Sequence, residues 1–222
     1  DRGDSEDLIG MIRKDKGFAK TDKRFPKKGT IADIIGKSVN TSSTIETIIL
    51  KECPQFFDYK DDICEVKKAY TNRKKEMGLM DYDDLLTNLL ELLKNNKEVR
   101  NKLNNYYQYI LVDEYQDTNL IQAEIVKFLA GQEENVMVVG DDSQSIYSFR
   151  GANFKNIVDF PSIFPKATII TLEENYRSAQ PILDLTNAVI EGAKEKYSKN
   201  LFTKRAGNIK PLYVETKDDN EQ

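Results

Sequence analysis

The chain has 222 residues, 39% of them hydrophobic, and a net charge of −4, which fits one large globular domain or two smaller ones. It contains no histidine, which excludes histidine metal sites and histidine general bases. Apolar runs stay well short of the roughly 18 residues that cross a membrane, so we expect no membrane contact and a cytoplasmic protein. Cys53 and Cys64 match neither a metal-site spacing nor a disulfide framework, which indicates reduced thiols.

Residues 1 to about 80 are predicted to be mainly helical. Apolar residues recur at helical spacing in segments 31–35, 44–50 and 63–70. Asp81 is placed to cap a further helix, which is rich in leucine from position 85 to 93.

Segment 13–28 is strongly basic, with eight Lys or Arg residues against two Asp. Such a patch can contact nucleic-acid phosphates without reading sequence. An ordinary solvated surface would have the same composition, and the sequence leaves both interpretations open.

The most informative stretch is Tyr109–Asn119, in which an apolar run leads directly into Asp113 and Glu114. A short continuous apolar run predicts a strand buried on both faces of a parallel sheet. Ligands bind outside the carboxyl ends of such strands, where these two acids would lie. One carboxylate there can hold Mg²⁺ and the other can orient a water that attacks a phosphate, as in a Walker B site. The alternative is that the acids only end the strand and cap the next helix.

The same pattern of a strand followed by polar residues recurs twice further along the chain. A second apolar run, Val136–Val139, ends at Gly140, a residue that suits a tight turn or a close backbone approach. A third run, Thr168–Leu172, is predicted to be another strand at the same crevice. The residues that follow these two runs include Gln144, Tyr147, Phe149 and Arg150, and then Tyr176 and Arg177.

The last part of the chain predicts one helix and one short strand. The helix is expected from Pro181 to about Glu191, because proline is favoured in a first helical turn. The possible strand is Leu212–Val214. Alternation of strands and helices over residues 109–175 is typical of the α/β class.

The blocks VDEYQDTN, VVGDDSQSIYSFRGA and LEENYRS, together with GLMDYDDLL upstream, resemble the UvrD/Rep/PcrA group of superfamily 1 DNA helicases. The resemblance is good over residues 65–190. It implies a partial RecA-like parallel sheet of the P-loop NTPase type with a mainly helical N-terminal subdomain. The domains it implies are a 1B-like helical insert (1–80), part of the first, 1A-like motor domain (81–175) and the start of a second, 2A-like motor domain (176–222).

The resemblance also implies the roles of a nucleotide site. Asp113 would coordinate Mg²⁺, and Glu114 would act as the catalytic base or position the attacking water. Gln144 would sense the γ-phosphate and couple it to the DNA site. Tyr176 would stack near the adenine, and Arg177 would act as an arginine finger.

A DNA site is implied in the loop after the second strand, where Phe149 would stack on a base of single-stranded DNA beside Tyr147 and Arg150. The implied function is an ATP-dependent DNA helicase that uses ATP and Mg²⁺, moves on single-stranded DNA and unwinds duplex DNA, usually 3′ to 5′. Two alternatives stay open: a non-catalytic DNA- or protein-binding module with this fold, or a piece of a helicase-nuclease.

The sequence departs from the family in having no phosphate-binding motif G-x-x-x-x-G-K-[ST]. Segment 36–38, Gly-Lys-Ser, has Ile31 where the motif needs its first glycine, and the residues before it have helical spacing. We therefore expect an internal piece of a larger helicase that is inactive alone and whose partners include the missing motor segments. An incomplete sheet would leave apolar surface uncovered and favour self-association.

Overall fold

A computed structural model describes residues 1–18, 24–148, 151–193, 197–216 and 218. Contacts divide the chain into two compact units, Asp1–Ile157 and Val158–Gln222. The boundaries predicted near residues 80 and 175 refer to the subdomains of the resembled family and stay predictions. None of the helices in the described ranges is long and apolar enough to cross a lipid bilayer.

The first unit begins with a layer of helices, as the sequence predicts for residues 1–80. The isoleucines at helical spacing in this part form one buried core. Among them, Ile31, Ile49 and Ile63 have no exposed surface. The elements are α1 (Arg2–Asp15), α2 (Lys28–Asn40), α3 (Ile45–Glu52), a 3₁₀ helix (Pro54–Tyr59) and α4 (Lys60–Glu76).

Local capping signals fix where several of these helices start. Thr44 accepts a hydrogen bond from the backbone N–H of Thr47 and so caps α3. Asp81 forms a capping box with Asp84 at the start of the next helix, α5 (Tyr82–Asn95). The predicted cap at Asp81 is therefore confirmed.

A second small core lies between α5 and the helices that follow it. Leu90 and Leu93 of α5 are buried against Ile121 and Ile125. Two further helices complete this part of the unit: α6 (Lys97–Tyr106) and α7 (Leu120–Ala130).

The sheet of the first unit has two parallel strands, β1 (Ile110–Val112) and β2 (Val136–Val138), joined by the α7 crossover. Leu111 pairs with Met137 in the ladder, and their side chains are 68% and 54% exposed. The prediction that the strands are buried on both faces is wrong. Helix α7 packs beside β1, and nothing among the described residues of this unit buries the face that carries Leu111 and Met137.

The second unit has little regular structure besides α9 (Phe160–Ile163) and α10 (Gln180–Glu191), with α8 (Lys155–Val158) at the boundary. The predicted helix with proline in its first turn is confirmed. The predicted strands Thr168–Leu172 and Leu212–Val214 are wrong. Neither has a ladder partner among the described residues, and Ile170 and Leu172 are both 78% exposed. An apolar, β-prone segment is not a strand unless another strand takes up its backbone hydrogen bonds.

A buried charge cluster ties the end of α4 to the start of α5. Lys74, only 8% exposed, places its Nζ 2.6 Å from Asp81 Oδ2 and also contacts Asp84. The Tyr70 hydroxyl donates to Asp81 Oδ2 at 2.8 Å. Burial alone would raise the pKa of Asp81, but the hydrogen bonds from Lys74, the Asp84 backbone and Tyr70 hold this pKa below its usual value.

We predict that Lys74→Met lowers the free energy of unfolding by about 3–5 kcal/mol, because it leaves two part-buried carboxylates without their cation. The matched control is Lys94→Met. Lys94 pairs with Glu124 at the surface, where the side chains are 43% and 51% exposed, so its loss should cost about 1 kcal/mol or less. Urea denaturation of both variants measures the difference, and equal losses would show that the Lys74 cluster is not a stabilising element.

Candidate functional site

Parallel pairing brings the two loops that follow β1 and β2 to the same edge of the sheet. The Val139 N–H donates to the Val112 carbonyl at 2.8 Å, and the Tyr115 N–H donates to the Val139 carbonyl at 2.9 Å. The residues after Val112 and those after Val139 therefore start side by side. This is the edge at which the sequence predicts a ligand site.

Asp113 and Glu114 lie exposed at this edge. Glu114 adopts a left-handed backbone conformation, with φ 51° and ψ 42°, which is costly for a residue with a side chain. The Asp113 carboxylate accepts the Glu114 N–H at 2.9 Å and supports this turn. Helix α7 is capped by Asn119 and Gln122, so the two acids do not serve as its cap. The interpretation of the acids as a simple helix cap is therefore wrong.

Gln116 is the residue that the sequence interpretation missed. Its side chain is fully buried, donates from Nε2 to Glu114 Oε2 at 2.8 Å and accepts the Asp141 N–H on Oε1 at 3.0 Å. One amide thus holds the carboxylate of Glu114 and the loop after β2 together. In the sequence it is one polar residue among several, and only the buried location distinguishes it.

Gln144 is connected to Glu114 through this amide. It ends the 3₁₀ helix Asp142–Gln144, is exposed, and donates from Nε2 to Asp141 Oδ2 at 2.9 Å. The structure therefore brings Glu114 and Gln144 to one site, linked by Gln116 and Asp141.

Gly140 passes directly over Gln116, as the predicted close backbone approach requires. An ideal Cβ at position 140 would lie 2.5 Å from Gln116 Oε1 and 2.7 Å from Ile157 Cδ1. No side chain fits this space, so the prediction for Gly140 is confirmed.

Of the three predicted DNA-site residues, the structure describes Tyr147. Tyr147 is 38% exposed, and its carbonyl accepts the Ala152 N–H at 3.3 Å. Phe149 and Arg150 lie outside the described residues.

Tyr176 and Arg177 belong to the second unit, where both side chains are exposed. The Asn175 carboxamide oxygen accepts the N–H groups of Arg177 and Ser178 at 2.9 and 2.7 Å and so shapes their turn. The Asn175 N–H in turn donates to the Phe202 carbonyl at 2.7 Å, which anchors the turn to the following segment.

The segment 36–38 is not a phosphate-binding loop. Its three residues lie inside α2, where Ser38 is buried and Lys37 pairs with Glu52. A phosphate loop needs free backbone N–H groups, and those of a helix interior are already bonded. The rejection of this segment from its sequence is confirmed.

At least three of the eight basic residues in segment 13–28 have contacts within the fold. Lys16 pairs with Glu65 at 3.0 Å, and Lys28 pairs with Asp7 at 2.5 Å. Arg13 lies 5.5 Å above the ring of Phe25, and burial lowers its pKa. Lys20 and Lys23 lie outside the described residues. Contact between this segment and DNA stays a prediction.

Residues 1–165 match the family model of the UvrD/REP helicase N-terminal domain, which covers both loops at the sheet edge. The chain belongs to the UvrD/REP helicase family. The matched region, residues 1–165, includes Asp113, Glu114, Gln116 and Gln144 and ends before Tyr176 and Arg177.

Individual family members agree with this assignment. The chain is 38% identical over 164 residues to the ATP-dependent DNA helicase PcrA of Leuconostoc citreum, a match that covers 74% of this chain and 22% of that protein. It is 40% identical over 161 residues to the ATP-dependent DNA helicase Rep of Buchnera aphidicola, covering 72% of this chain and 25% of Rep. The matched region thus spans a quarter or less of the length of these relatives.

We predict that Gly140→Ala destabilises the chain by about 1–3 kcal/mol, the usual cost of overpacking. The control is Gly36→Ala in the interior of α2, where the new Cβ would meet only Asp83 Oδ2 at 3.5 Å. Alanine is favoured there by about 0.5–1 kcal/mol, so this variant should be more stable. Denaturation midpoints compare the two, and a Gly140→Ala midpoint at or above that of Gly36→Ala would contradict the close packing over Gln116.

Proposed function

We propose that this chain is part of an ATP-dependent DNA helicase and that the edge after β1 and β2 serves ATP hydrolysis. The observation that carries the proposal is the side chain of Gln116, which holds Glu114 and the Gln144 loop in one hydrogen-bonded unit. Family membership and the names of the relatives support the same function. The RecA-like form of the complete sheet is part of this proposal.

Asp113 fits the proposed role of Mg²⁺ ligand. It is an exposed carboxylate directly after a parallel strand, and Mg²⁺ takes one or two such oxygens together with waters and phosphate oxygens. Bound there, the ion would neutralise charge on the phosphates of ATP.

Glu114 is the proposed general base. Gln116 engages Oε2 and thereby fixes the orientation of the carboxylate. The second oxygen, Oε1, is assigned to the attacking water. A positioned base of this kind contributes about 10²–10⁴ in rate.

The remaining roles complete the proposed motor. Arg177 would act as an arginine finger, worth about 10³–10⁵ in rate where such residues have been measured, and Tyr176 would stack on adenine. Tyr147, Phe149 and Arg150 would bind single-stranded DNA. Stacking a base on an aromatic ring contributes roughly 1–3 kcal/mol and tolerates any sequence, as movement along a strand requires. The expected direction is 3′ to 5′.

We also propose that the phosphate-binding motif is supplied from outside these 222 residues, since the sequence contains no such motif and its nearest match lies within α2. The isolated chain should then show no ATP turnover with Mg²⁺, with or without single-stranded oligonucleotide. DNA-stimulated turnover by the isolated chain would contradict this part of the proposal. The exposed face with Leu111 and Met137 gives the isolated chain a surface for self-association.

In the full-length helicase that contains this chain, we predict that Glu114→Gln lowers the turnover number by about 10²–10⁴ because the base is lost. The dissociation constant for ATP should stay within about twofold, since glutamine has the same shape. Steady-state turnover and equilibrium nucleotide binding measure the two effects. Glu124→Gln, an exposed change on α7, is the control and should leave both unchanged. Normal turnover by the Glu114 variant would overturn the assignment of the base.

A further inference from the structure

Asn40, the last residue of α2, joins three segments that lie far apart in the sequence. Its Nδ2 donates to Asp83 Oδ1 and to the Gly36 carbonyl, each at 2.9 Å. Its Oδ1 accepts from Asn119 Nδ2 at 2.8 Å. One amide therefore connects α2, the first turn of α5 and the end of the loop after β1.

The partners of Asn40 are themselves held in place. Asn119 is 6% exposed and caps α7 through its Oδ1, so its Nδ2 has a fixed direction. Asp83 lies in the first turn of α5, and burial raises its pKa. The contact from Asn40 thus anchors the loop after β1 to the helical layer of the first unit.

The loop after β2 packs on the same residue. Gly151 has φ +89°, and a Cβ there would lie 2.7 Å from Asn40 Cβ and 3.2 Å from the Asn40 carbonyl oxygen. Nearby, the Asn153 N–H and Asn156 Nδ2 each donate to the Thr118 carbonyl at 2.9 Å. The two loops are therefore joined at their far ends around Asn40, as they are joined near the strands by Gln116.

These two loops carry different parts of the proposed machinery. The loop after β1 holds Asp113 and Glu114, and the loop after β2 runs from Gln144 past Tyr147 to Gly151. Contacts that hold both ends of the two loops would also transmit a displacement of the loop after β2 to the loop that carries Asp113 and Glu114. Asn40 contacts both far ends, and so does Asn156, whose amide donates to the Thr118 and Asn119 carbonyls.

We propose that Asn40 is a positioning residue that sets the spacing of the two loops and so links DNA binding to ATP turnover. This inference rests on the proposed function. Asparagine suits the position because it donates to Asp83 and accepts from Asn119 at the same time. An aspartate at position 40 would set two carboxylates against each other.

The decisive test is a donor–acceptor exchange between positions 40 and 83. Asn40→Asp alone should disrupt the contact, because the new carboxylate repels that of Asp83. The double variant Asn40→Asp/Asp83→Asn restores the contact between positions 40 and 83 with reversed polarity. Both variants lose the hydrogen bond from Asn40 to the Gly36 carbonyl, so their difference isolates the contact with position 83. The new amide at position 83 can donate to the new carboxylate at position 40, which still accepts from Asn119. Asn88→Ala is the control, since this exposed asparagine lies on α5 and its amide donates to Met80 Sδ at 3.3 Å.

The first readout is amide hydrogen exchange in the chain itself over residues 115–119 and 141–148. We expect protection to fall at least tenfold in Asn40→Asp and to return in the double variant, with no change in the control. Unchanged protection in Asn40→Asp, or no return in the double variant, overturns the positioning role. This readout requires no ATP and is independent of the proposed function. If Asn40→Asp fails to fold, the double variant is compared with the wild-type chain. Protection in the double variant at least tenfold below that of the wild type then overturns the positioning role.

The second readout is turnover by the full-length helicase with and without single-stranded DNA. We expect Asn40→Asp to keep DNA-independent turnover within about twofold while DNA-stimulated turnover falls at least fivefold, and the double variant to recover it. Equal losses with and without DNA would indicate a merely structural role and overturn the link. A wild-type helicase without any DNA-stimulated turnover would overturn the proposed function and the link with it, while the exchange data would still judge the positioning role.

Discussion

The parallel pairing of β1 with β2 determines the geometry of the sheet edge that carries Asp113, Glu114 and Gln144. With three residues in each strand, the ladder is short, but it aligns Val112 with Val138 and so places both following loops at one edge. An antiparallel pair would have put these loops at opposite ends of the sheet. The buried amide of Gln116 then converts this proximity into fixed contacts, because it bonds to Glu114 on one side and Asp141 on the other.

Different interactions stabilise the helical layer and the sheet edge. Isoleucine packing dominates in α1 to α4, where the buried polar residues are Ser38 and Lys74 among the described residues. Buried amides dominate around the loops, where Gln116, Asn119 and Asn156 each satisfy backbone and side-chain partners. Apolar packing tolerates small rearrangements, whereas a hydrogen-bonded amide requires its partners at defined distances and angles. The part of the fold that carries the proposed chemistry is thus the part with directional contacts.

What could be predicted from the sequence is what depends on neighbouring residues. The capping box at Asp81, the helical spacing of Ile31, Ile34 and Ile35, and the small residue at Gly140 each carry a local signal, and each prediction is confirmed. The acidic pair after β1 was likewise recognisable as a candidate site, whose chemistry stays a proposal.

The errors and omissions concern contacts between distant segments. Whether Thr168–Leu172 forms a strand depends on a partner strand, and whether Leu111 is buried depends on what covers the sheet. Neither can be deduced from the segment itself. Gln116 and Asn40 were missed for the same reason, since an amide has no distinctive pattern until its partners in the fold are known.

The ionic cluster at the junction of α4 and α5 limits how this sequence can drift. Lys74 faces Asp81 and Asp84 with little solvent to screen them, so loss of the Lys74 charge would leave two part-buried carboxylates without a cation. A neutral residue at position 74 requires that both carboxylates change with it, whereas replacement of one carboxylate leaves a balanced ion pair. An evolutionary path that loses Lys74 first passes through a less stable intermediate. Covariation of position 74 with positions 81 and 84 is the signature that this order would leave in an alignment.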